Sequence, residues 1–293
     1  MNILDGKIAS AEWKTVLAKE VNELLSNGKR APHLCAILVG SNGASETYVA
    51  SKVKNCAEIG MRSSLVRFET SITENELLQK IQEINNDDAI DGLIVQLPLP
   101  PHINVQKVTE AISPAKDVDG FHPVNAGRML QNLPCYIPAT PYGILLMLEH
   151  FKIETSAKSC VIIGRSNIVG MPMSVLMSRN GNPGNCTVTL CHSRTPDIKS
   201  ISKDADIVIA ALGKPYFLKA DMVKDGAIVI DVGITRIEST QTKSGFKIAG
   251  DVDFENVSPK CSWITPVPGG VGLMTIVGLL KNTLRAARKE INY

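Results

Sequence analysis

Aromatic residues, paired cysteines and clustered histidines are scarce in this sequence. Its 293 residues include only two Trp, five Tyr and six Phe, which argues against a stacking platform for single-stranded nucleic acid. The seven cysteines contain no Cys-x-x-Cys pair, which argues against a disulfide framework and against a structural zinc site. The five histidines are dispersed as well. We therefore expect a protein without a bound metal.

Neither an excess of one charge nor a long apolar run is present. The 31 Lys and Arg residues nearly balance the 29 Asp and Glu residues, and a net charge of +2 does not indicate a polyanionic partner. No apolar run approaches the roughly 18 residues that a membrane-spanning helix needs. The first residues also lack the pattern of a secretory signal. We expect a soluble, cytoplasmic protein that binds neither nucleic acid nor a membrane.

What the sequence does contain is the composition of a globular chain. With 44% hydrophobic and 20% charged residues it can bury a core, and its length corresponds to roughly two domains. Short apolar runs alternate with segments of helical periodicity, which indicates βαβ units around parallel sheets. The predicted strands cover residues 34–40, 65–68, 93–97, 159–164, 187–190, 205–210 and 227–233.

The first predicted helix has Ser10 as its N-cap and ends before Gly28. Its apolar residues are spaced to form one buried face and are Trp13, Val16, Leu17, Val21, Leu24 and Leu25. Later helices are predicted over residues 44–59, from a cap at Thr73 to about Asn85, from Thr140-Pro141 onward, and over residues 272–290. Because Pro134, Pro138 and Pro141 interrupt the alternation, we place a domain boundary there.

A glycine-bearing turn joins the strand that ends near Ile163 to an apolar helical segment. The turn reads Gly164-Arg165-Ser166-Asn167-Ile168-Val169-Gly170. Backbone N–H groups and the helix dipole at such a turn form a cradle for phosphate. Ser166 stands where the dinucleotide fingerprint has its second glycine, so the prediction depends on the flanking strand and helix. The alternative is that Gly164 and Gly170 serve only tight packing.

The next strand, residues 187–190, lacks the carboxylate that usually binds the ribose hydroxyls of NAD. It is followed by Cys191-His192-Ser193-Arg194-Thr195. Arg165, Ser193 and Arg194 could instead receive a 2′-phosphate through charge-assisted hydrogen bonds, which predicts NADP rather than NAD. Three glycines near strand ends are expected to line the same cleft, although each alone is typical of a turn: Gly213, Gly226 and Gly233.

A second candidate site lies in the first half of the chain. Tyr48 and Lys52 are four residues apart and therefore on one face of a predicted helix, where a phenol and an amine can reach one ligand. Gln96 is a polar residue inside an apolar predicted strand, and a buried amide needs partners. One alternative is that Tyr48 and Lys52 lie on a solvated edge of the helix. The other is that Gln96 only forms a hydrogen bond with the backbone.

Two further segments have the composition of binding loops. Asp117 and Asp119 are separated by one residue in a turn-forming segment, so one of them is expected to face a given cleft. The alternative is a pair of solvated surface acids. The second segment is Thr265-Pro266-Val267-Pro268-Gly269-Gly270-Val271-Gly272, in which the glycines allow the backbone to approach a flat ligand.

Five of these segments, in this order, resemble the bifunctional methylenetetrahydrofolate dehydrogenase/methenyltetrahydrofolate cyclohydrolase family. They span nearly the whole chain and are Tyr48-Val49-Ala50-Ser51-Lys52, Gln96-Leu97-Pro98-Leu99-Pro100, Lys116-Asp117-Val118-Asp119-Gly120-Phe121, Gly164-Arg165-Ser166 with Val169-Gly170-Met171-Pro172, and Pro266 to Gly272. Two positions depart from the family's common pattern, because Ala139 precedes Thr140-Pro141 where cysteine is common and Leu273 follows Gly272 where proline is common.

The resemblance implies an α/β protein of two domains, with the folate in the cleft between them. These are an N-terminal α/β catalytic domain over 1–139 and a C-terminal Rossmann-type parallel-sheet domain over 140–270. A last helix over 271–293 packs back on the first domain. It also implies a homodimer and a place in one-carbon metabolism and purine biosynthesis. The implied reactions are oxidation of 5,10-methylenetetrahydrofolate with NADP and hydrolysis of the methenyl product to 10-formyltetrahydrofolate.

The resemblance also implies roles for individual residues. Lys52 is the catalytic amine, Tyr48 stacks on or orients the substrate, Gln96 adjusts Lys52, and Asp119 holds the pterin. Because a charged amine beside a cationic intermediate is unfavourable, we expect Lys52 to act without its proton. The other implied substrate-binding residues are Val95, Leu97, Pro268, Gly269, Gly270 and Gly272. The implied cofactor-binding residues are Gly164, Arg165, Ser166, Val169, Gly170, Ser193, Gly213, Gly233 and Ile234.

Three other functions are weighed against this one. A short-chain dehydrogenase also uses Tyr-x-x-x-Lys, but there the pair follows the dinucleotide turn, whereas Tyr48 precedes Gly164 by over a hundred residues. A non-catalytic NADP-binding sensor module would bind the cofactor without turning over a folate. A shikimate-type dehydrogenase shares the two-domain layout, but Tyr48 spaced to Lys52 and Gln96 before a Pro-Leu-Pro turn favour folate.

Overall fold

The computed structural model describes residues 1–41, 43–240, 242 and 245–293. Over these residues the chain divides into two compact units. One, which we call the six-strand unit, comprises Met1–Ala11 and Thr140–Thr275. The other, which we call the three-strand unit, comprises Glu12–Ala139 and Ile276–Tyr293. Each unit is built from strands that are joined through helices.

The strands of the described chain are short and mostly apolar. They are β1 (Asn2–Ile3), β2 (His33–Val39), β3 (Arg62–Phe68), β4 (Gly92–Val95), β5 (Ser159–Ile163), β6 (Thr187–Cys191), β7 (Ile207–Ala210), β8 (Ile228–Asp231), β9 (Thr235–Glu238), β10 (Phe246–Ala249) and β11 (Trp263–Ile264). The sequence predicted seven of these, and it missed β1, β9, β10 and β11. Two of the missed strands, β1 and β11, have only two residues each, which is too short for a periodicity to register.

The helices include the five that were predicted with a start or a range, and the one that was expected after the turn at 164–170. They are α1 (Gly6–Ser26), α2 (Gly43–Glu58), α3 (Glu74–Asn85), α4 (Val105–Ala111), α5 (Pro123–Leu130), α6 (Ala139–His150), α7 (Gly170–Ser178), α8 (Ile198–Ser202), α9 (Phe254–Val257) and α10 (Val271–Ala287). Thr73 caps α3 as predicted, in a reciprocal capping box with Glu76. Among the described residues, no helix is both long and apolar enough to cross a membrane.

The start of α1 differs from the prediction. Ser10 does not cap the helix, because Asp5 lies ahead of it and its Oδ1 accepts hydrogen bonds from the backbone N–H groups of Lys7 and Ile8, at 2.7 and 3.3 Å. Ser10 lies one turn inside the helix. The predicted apolar face is also wrong in part, since Val16 and Leu25 are exposed in the single chain.

The six-strand unit contains a parallel sheet of order β1-β11-β8-β7-β5-β6. The chain leaves β5 towards β6 on one side and returns to β7 on the other, so the switch point of the sheet lies between β5 and β7. In doubly wound sheets ligands bind at this point, beyond the carboxyl ends of the strands. The predicted strand at 187–190 is not fully buried, because β6 is at the edge of the sheet.

The three-strand unit contains a parallel sheet of order β3-β2-β4. All seven residues of β2 are buried, as expected for a central strand covered on both faces. The strand β4 ends at Val95, so Gln96 and Leu97 lie just beyond it rather than within it as predicted. Gln96 still extends the ladder by one bond, since its N–H donates to Ile37 O at 2.9 Å.

The compact units differ from the predicted domain limits at the amino terminus. The prediction assigned residues 1–139 to the first domain. In the structure Asn2–Ile3 forms β1, which pairs with Trp263 and Ile264 of β11, and residues 1–11 therefore belong to the six-strand unit. A pairing between residues so far apart in the chain leaves no local signal in the sequence.

Candidate functional site

Lys52 and Gln96 are in direct contact within the three-strand unit. Lys52 is 7% exposed on α2, and its Nζ donates a hydrogen bond to Gln96 Oε1 at 3.1 Å. The amide of Gln96 is held in turn, because its Nε2 donates to Leu97 O at 2.8 Å. The Oε1 atom is therefore fixed as the acceptor that faces the amine. The alternative of a solvated Lys52 at a helix edge is wrong.

Tyr48 lies one turn before Lys52 on α2 and is half-buried. Burial raises the pKa of its phenol, so the hydroxyl keeps its proton and can donate a hydrogen bond near neutral pH. Cys56 lies one turn after Lys52, and burial raises the pKa of its thiol to about 12. The thiol is consequently a neutral neighbour of the amine rather than a nucleophile.

Asp119 lies in the turn that follows a contact with β4. Leu93 of β4 forms an isolated parallel bridge with Asp117, and the chain then turns, since Gly120 N–H donates to Asp117 O at 3.0 Å. Asp119 is close enough to Lys52 for the two side chains to interact electrostatically. Burial raises the pKa of Asp119, and the positive charge of Lys52 opposes that rise. Lys52, Gln96 and Asp119 thus form one group of polar side chains.

The two aspartates of this segment have different surroundings. Asp117 is 1% exposed, and its carboxylate accepts hydrogen bonds from Phe121 N at 3.2 Å, His122 N at 2.8 Å and Asn125 Nδ2 at 2.9 Å. Asp119 is half-buried and is available to a ligand. The alternative of two solvated surface acids is wrong, and the sequence had no signal for the role of Asp117.

The loop that carries Asp119 is fixed from both sides. Asn282 of α10 is fully buried, and its Nδ2 donates to Val118 O at 2.9 Å and to Ile137 O at 2.8 Å. Gly120 has a φ of +74° and packs so closely on Ile137 and Pro138 that a Cβ there would lie 2.6 Å from Pro138 N. Side-chain and backbone contacts together hold the position of Asp119.

The phosphate cradle predicted after β5 depends on the absence of side chains. A Cβ on Gly164 would overlap Ala211 O, and a Cβ on Gly170 would overlap Gly164 O. Gly164 also has a φ of +123°, which other residues rarely adopt. The two glycines therefore let the amino terminus of α7 approach the end of β5. Tight packing is therefore a property of this turn, and a phosphate site there remains a prediction.

Ser166 contributes to the cradle in the place of a glycine. Its Oγ accepts hydrogen bonds from Val169 N at 3.2 Å and Gly170 N at 3.4 Å, at the amino terminus of α7. Val169 itself makes no side-chain cap. These bonds are long, so the amides remain suited to an anionic ligand.

The residues predicted to receive a 2′-phosphate lie at one edge of the six-strand sheet. Ile163 of β5 is paired with Cys191 of β6, and Arg165 and Ser193 each lie two residues beyond this pair. Both side chains are exposed. Arg194 is exposed next to Ser193, and its N–H donates to His192 Nδ1 at 3.1 Å, which fixes the turn. The arrangement can present a positive charge to a ligand above β5 and β6.

The other glycines predicted at this cleft divide into two groups. Gly213 follows β7 and Gly233 follows β8, so both lie at the carboxyl edge of the sheet, as does the exposed Ile234. Gly226 precedes β8, and its N–H donates to Lys260 O at the opposite edge. The expectation that Gly226 lines the cleft is therefore wrong.

The proline- and glycine-rich segment lies after β11 in the six-strand unit. Pro268 is exposed and Gly269 has a φ of +107°. A Cβ on Gly270 would lie 2.5 Å from Pro266 O, so the chain folds tightly back on itself here. Gly272 follows in the first turn of α10. The segment is therefore tightly folded, with Pro268 exposed and Gly270 buried.

Sequence reasoning missed two buried carboxylates of the six-strand unit, Asp231 and Asp251. Asp231 has a weak signal, since it is a single acid at the end of an apolar run, whereas Asp251-Val252-Asp253 repeats the spacing of Asp117 and Asp119 and could have been noticed. Among the residues that the structure describes, no group of three or more His, Cys, Asp or Glu side chains is arranged to hold a metal ion.

Comparison with known proteins decides the family. Two family models match the chain: the catalytic domain of tetrahydrofolate dehydrogenase/cyclohydrolase over residues 4–119, and its NAD(P)-binding domain over residues 138–291. The chain belongs to the tetrahydrofolate dehydrogenase/cyclohydrolase family. The resemblance inferred from the five motifs is confirmed, and so is the α/β class with two domains and a parallel sheet.

Relatives of the family match over the full length. The bifunctional protein FolD of Bacteroides fragilis is 60% identical over 291 residues, which cover 99% of each chain. The crystal structure of the Campylobacter jejuni bifunctional enzyme FolD superposes with a TM-score of 0.92 at 47% identity, over 99% of this chain and 100% of that chain. The Trypanosoma brucei enzyme, crystallised with NADP cofactor and inhibitor, has a TM-score of 0.92 at 35% identity, over 99% and 98% of the two chains.

The turn after β5 fits the dinucleotide of the family's NAD(P)-binding domain. A dinucleotide needs close approach of the backbone to its phosphates, and the contacts of Gly164 and Gly170 leave no space for side chains there. The absence of a carboxylate at the end of β6 leaves room for a 2′-phosphate. The prediction of NADP as the cofactor is confirmed.

Proposed function

We propose that this protein oxidises 5,10-methylenetetrahydrofolate with NADP and hydrolyses the resulting 5,10-methenyl compound to 10-formyltetrahydrofolate, with Lys52 as the proton carrier of the second step. Full-length similarity to bifunctional relatives supports both activities. The observation that carries the assignment of Lys52 is its buried amine, held 3.1 Å from Gln96 Oε1. Neither the sensor module nor the shikimate-type dehydrogenase is favoured.

The hydrolysis needs a proton to move between two atoms. Water adds to the cationic methenyl carbon, and its oxygen becomes the formyl oxygen, so both protons of the water must leave. Lys52 Nζ accepts the first of them and passes a proton to the ring nitrogen that departs from the carbon. The second proton is released to solvent, which leaves a neutral product. Gln96 Oε1 keeps the amine oriented between the water and the departing nitrogen.

The remaining side chains of the three-strand unit bind and orient the substrate. The Asp119 carboxyl, fixed by the loop around Gly120, forms hydrogen bonds with the pterin. Tyr48 stacks on the substrate or orients it with a phenol that keeps its proton. Val95 and Leu97 supply apolar contacts on either side of Gln96.

NADP supplies a hydride acceptor when it is bound, and the protein supplies its position. The amides at Gly164, Ser166, Val169 and Gly170 would bind its phosphates. Arg165 and Ser193 would receive the 2′-phosphate. Three residues at the same sheet edge would complete the cofactor site: Gly213, Gly233 and Ile234.

One experiment tests the two activities together. Purified protein is mixed with methylenetetrahydrofolate and NADP while the absorbance of NADPH is followed, and the methenyl compound is supplied separately without NADP. We expect NADPH to appear in the first assay and 10-formyltetrahydrofolate in the second. NADP binding without either product would identify a sensor module and refute the proposal.

We also propose a cytoplasmic homodimer that provides one-carbon units for purine biosynthesis. An exposed ribbon supports association, since β9 pairs only with β10 among the described strands and Phe246 and Ile248 of β10 are 40% and 38% exposed. Apolar side chains on an open ribbon favour contact with a second surface. Sedimentation should give the mass of two chains, and Ile248→Glu should shift it towards one. A single-chain mass for the unaltered protein would contradict the homodimer.

A further inference from the structure

Two buried carboxylates lie close to the carboxyl ends of β8 and β10 in the six-strand unit. Asp231 is the last residue of β8 and is 3% exposed, while Asp251 follows β10 and is 0% exposed. Both accept hydrogen bonds from backbone amides of neighbouring loops. Buried carboxylates need such partners, and here the partners belong to the loops at the dinucleotide edge of the sheet.

Asp251 holds the loop that follows β7. Its Oδ2 accepts hydrogen bonds from Leu212 N at 2.6 Å and from Gly213 N at 2.9 Å. Bonds from amides to a carboxylate are stronger than bonds between neutral groups. This loop begins at Ala211, whose carbonyl oxygen packs on Gly164. Asp251 therefore fixes one wall of the crevice at the switch point between β5 and β7.

Asp231 holds Asp251 and the loop that follows β8. Its Oδ1 accepts from Gly233 N and from Asp251 N, both at 2.9 Å, and its Oδ2 accepts from Val252 N at 3.0 Å. Gly233 must be a glycine, since a Cβ there would lie 2.5 Å from Asp251 Oδ1. The two carboxylates thus connect the loops after β7, β8 and β10.

The two oxygens of Asp251 have different surroundings. Oδ1 is buried and has no hydrogen-bond partner among the described residues, which is unfavourable for folding. Oδ2 accepts both amide bonds. The carboxylate therefore acts on the loop after β7 through Oδ2 alone.

We propose that Asp251 is a positioning residue for NADP, which sets the backbone amides of Leu212 and Gly213 at the wall of the dinucleotide crevice. This inference rests on the proposed cofactor site at Gly164 to Gly170. It predicts a selective effect on cofactor binding, because hydrolysis of the methenyl compound consumes no NADP.

The test compares Asp251→Ala with Asp251→Asn, using Asp253→Ala as the matched control from the same segment. NADP dissociation constants are measured by calorimetry, and hydrolysis of the methenyl compound is measured without NADP. We expect Asp251→Ala to weaken NADP binding at least about tenfold, from the loss of two charge-assisted bonds, with hydrolysis retained. Asp251→Asn should weaken NADP binding less than Asp251→Ala, because the amide oxygen of Asn can accept both hydrogen bonds. Asp253→Ala should match the unaltered protein.

The outcomes separate this inference from the proposed cofactor site. If Gly164→Ala weakens NADP binding but neither Asp251 variant does, only the inference is overturned. If Gly164→Ala has no effect either, the proposed site itself is wrong. An equal loss of NADP binding and hydrolysis in Asp251→Ala would indicate a purely structural role and overturn the inference. If Asp251→Ala does not fold, Asp251→Asn decides, and it must weaken NADP binding while hydrolysis persists.

Discussion

The candidate sites of the two units are built from different parts of the chain. In the three-strand unit the chemistry lies in side chains, since Lys52, Gln96 and Asp119 come from a helix, a strand end and a loop. In the six-strand unit it lies in backbone groups exposed by Gly164 and Gly170. The first site should be sensitive to a change of functional group, and the second to added volume.

Both units nevertheless use buried carboxylates in the same way. Asp117 binds the amides of the loop that carries Asp119, and Asp251 binds the amides of the loop after β7. In each case the carboxylate is less exposed than the residues it holds. A loop can therefore need a buried carboxylate to hold it in place, whether it carries side chains or backbone groups that bind a ligand.

Lys52→Met should have the largest effect and should be confined to one reaction. Removal of the proton carrier is expected to slow hydrolysis of the methenyl compound by roughly 10²–10⁴-fold, while NADP binding persists. Lys54→Met is the matched control, because Lys54 is on the same helix with its side chain 78% exposed. Product formation is followed by absorbance of the methenyl compound. Unchanged hydrolysis in Lys52→Met would refute its assignment.

Gly164→Ala should damage the other site. The Cβ would overlap Ala211 O and the φ of +123° would be strained, so we expect a stability loss of about 1–3 kcal/mol and weaker NADP binding. Gly127→Ala is the control, because no atom lies within 4 Å of a Cβ there. Thermal melts and calorimetry measure the two effects. A variant that binds NADP normally would contradict the backbone cradle.

Arg165→Ala tests which cofactor the six-strand unit prefers. Loss of a charge-assisted bond to the 2′-phosphate should weaken NADP binding about tenfold, since NAD lacks that group and should be little affected. The KM values for the two cofactors provide the measurement. Equal losses for NADP and NAD would remove the 2′-phosphate argument.

Asp117→Asn should change how stability depends on pH. Burial raises the pKa of Asp117 from 3.8 to about 7, so the folded state binds its proton more tightly than the unfolded state. The stability it contributes is complete below the unfolded value and is lost as the pH rises towards 7. The free energy of unfolding of the unaltered protein, relative to Asp117→Asn, should fall by at most about 1.4 kcal/mol per pH unit.

The same measurement on Asp231→Asn extends the comparison to the six-strand unit. Burial raises the pKa of Asp231 from 3.8 to about 6, so its contribution should be lost over a lower and narrower range of pH. Urea unfolding between pH 4.5 and pH 8 checks both variants. A difference from the unaltered protein that does not vary with pH would contradict the raised pKa of either group.

Much of the fold could be predicted because its signals are local. The apolar run of β2 and the capping box of α3 each depend on neighbouring residues, and both are present in the structure. The same holds for the glycine turn after β5, whose place between strand and helix was predicted. Errors arose where two residues could cap the same helix. At the start of α1 the cap is Asp5, whose side chain accepts a hydrogen bond from Lys7 N, and not Ser10.

The candidate site could be predicted only in part, because its side chains come from distant parts of the chain. The spacing of Tyr48 and Lys52 is helical and local, but the bond from Lys52 to Gln96 joins residues 44 positions apart. The different surroundings of Asp117 and Asp119 depend on His122, Asn125 and the remote Asn282. Nothing in a two-residue spacing shows which carboxylate is buried.

By itself, the sequence determined the alternation of strands and helices, the glycine turn after β5 and the ordered motifs of the family. Only the tertiary structure decided which polar groups meet. It paired β1 with β11 and set the Asp251 carboxylate against the amides of Leu212 and Gly213. Local patterns reflect the periodicity of a single element, whereas these hydrogen bonds form between distant segments when the whole core packs.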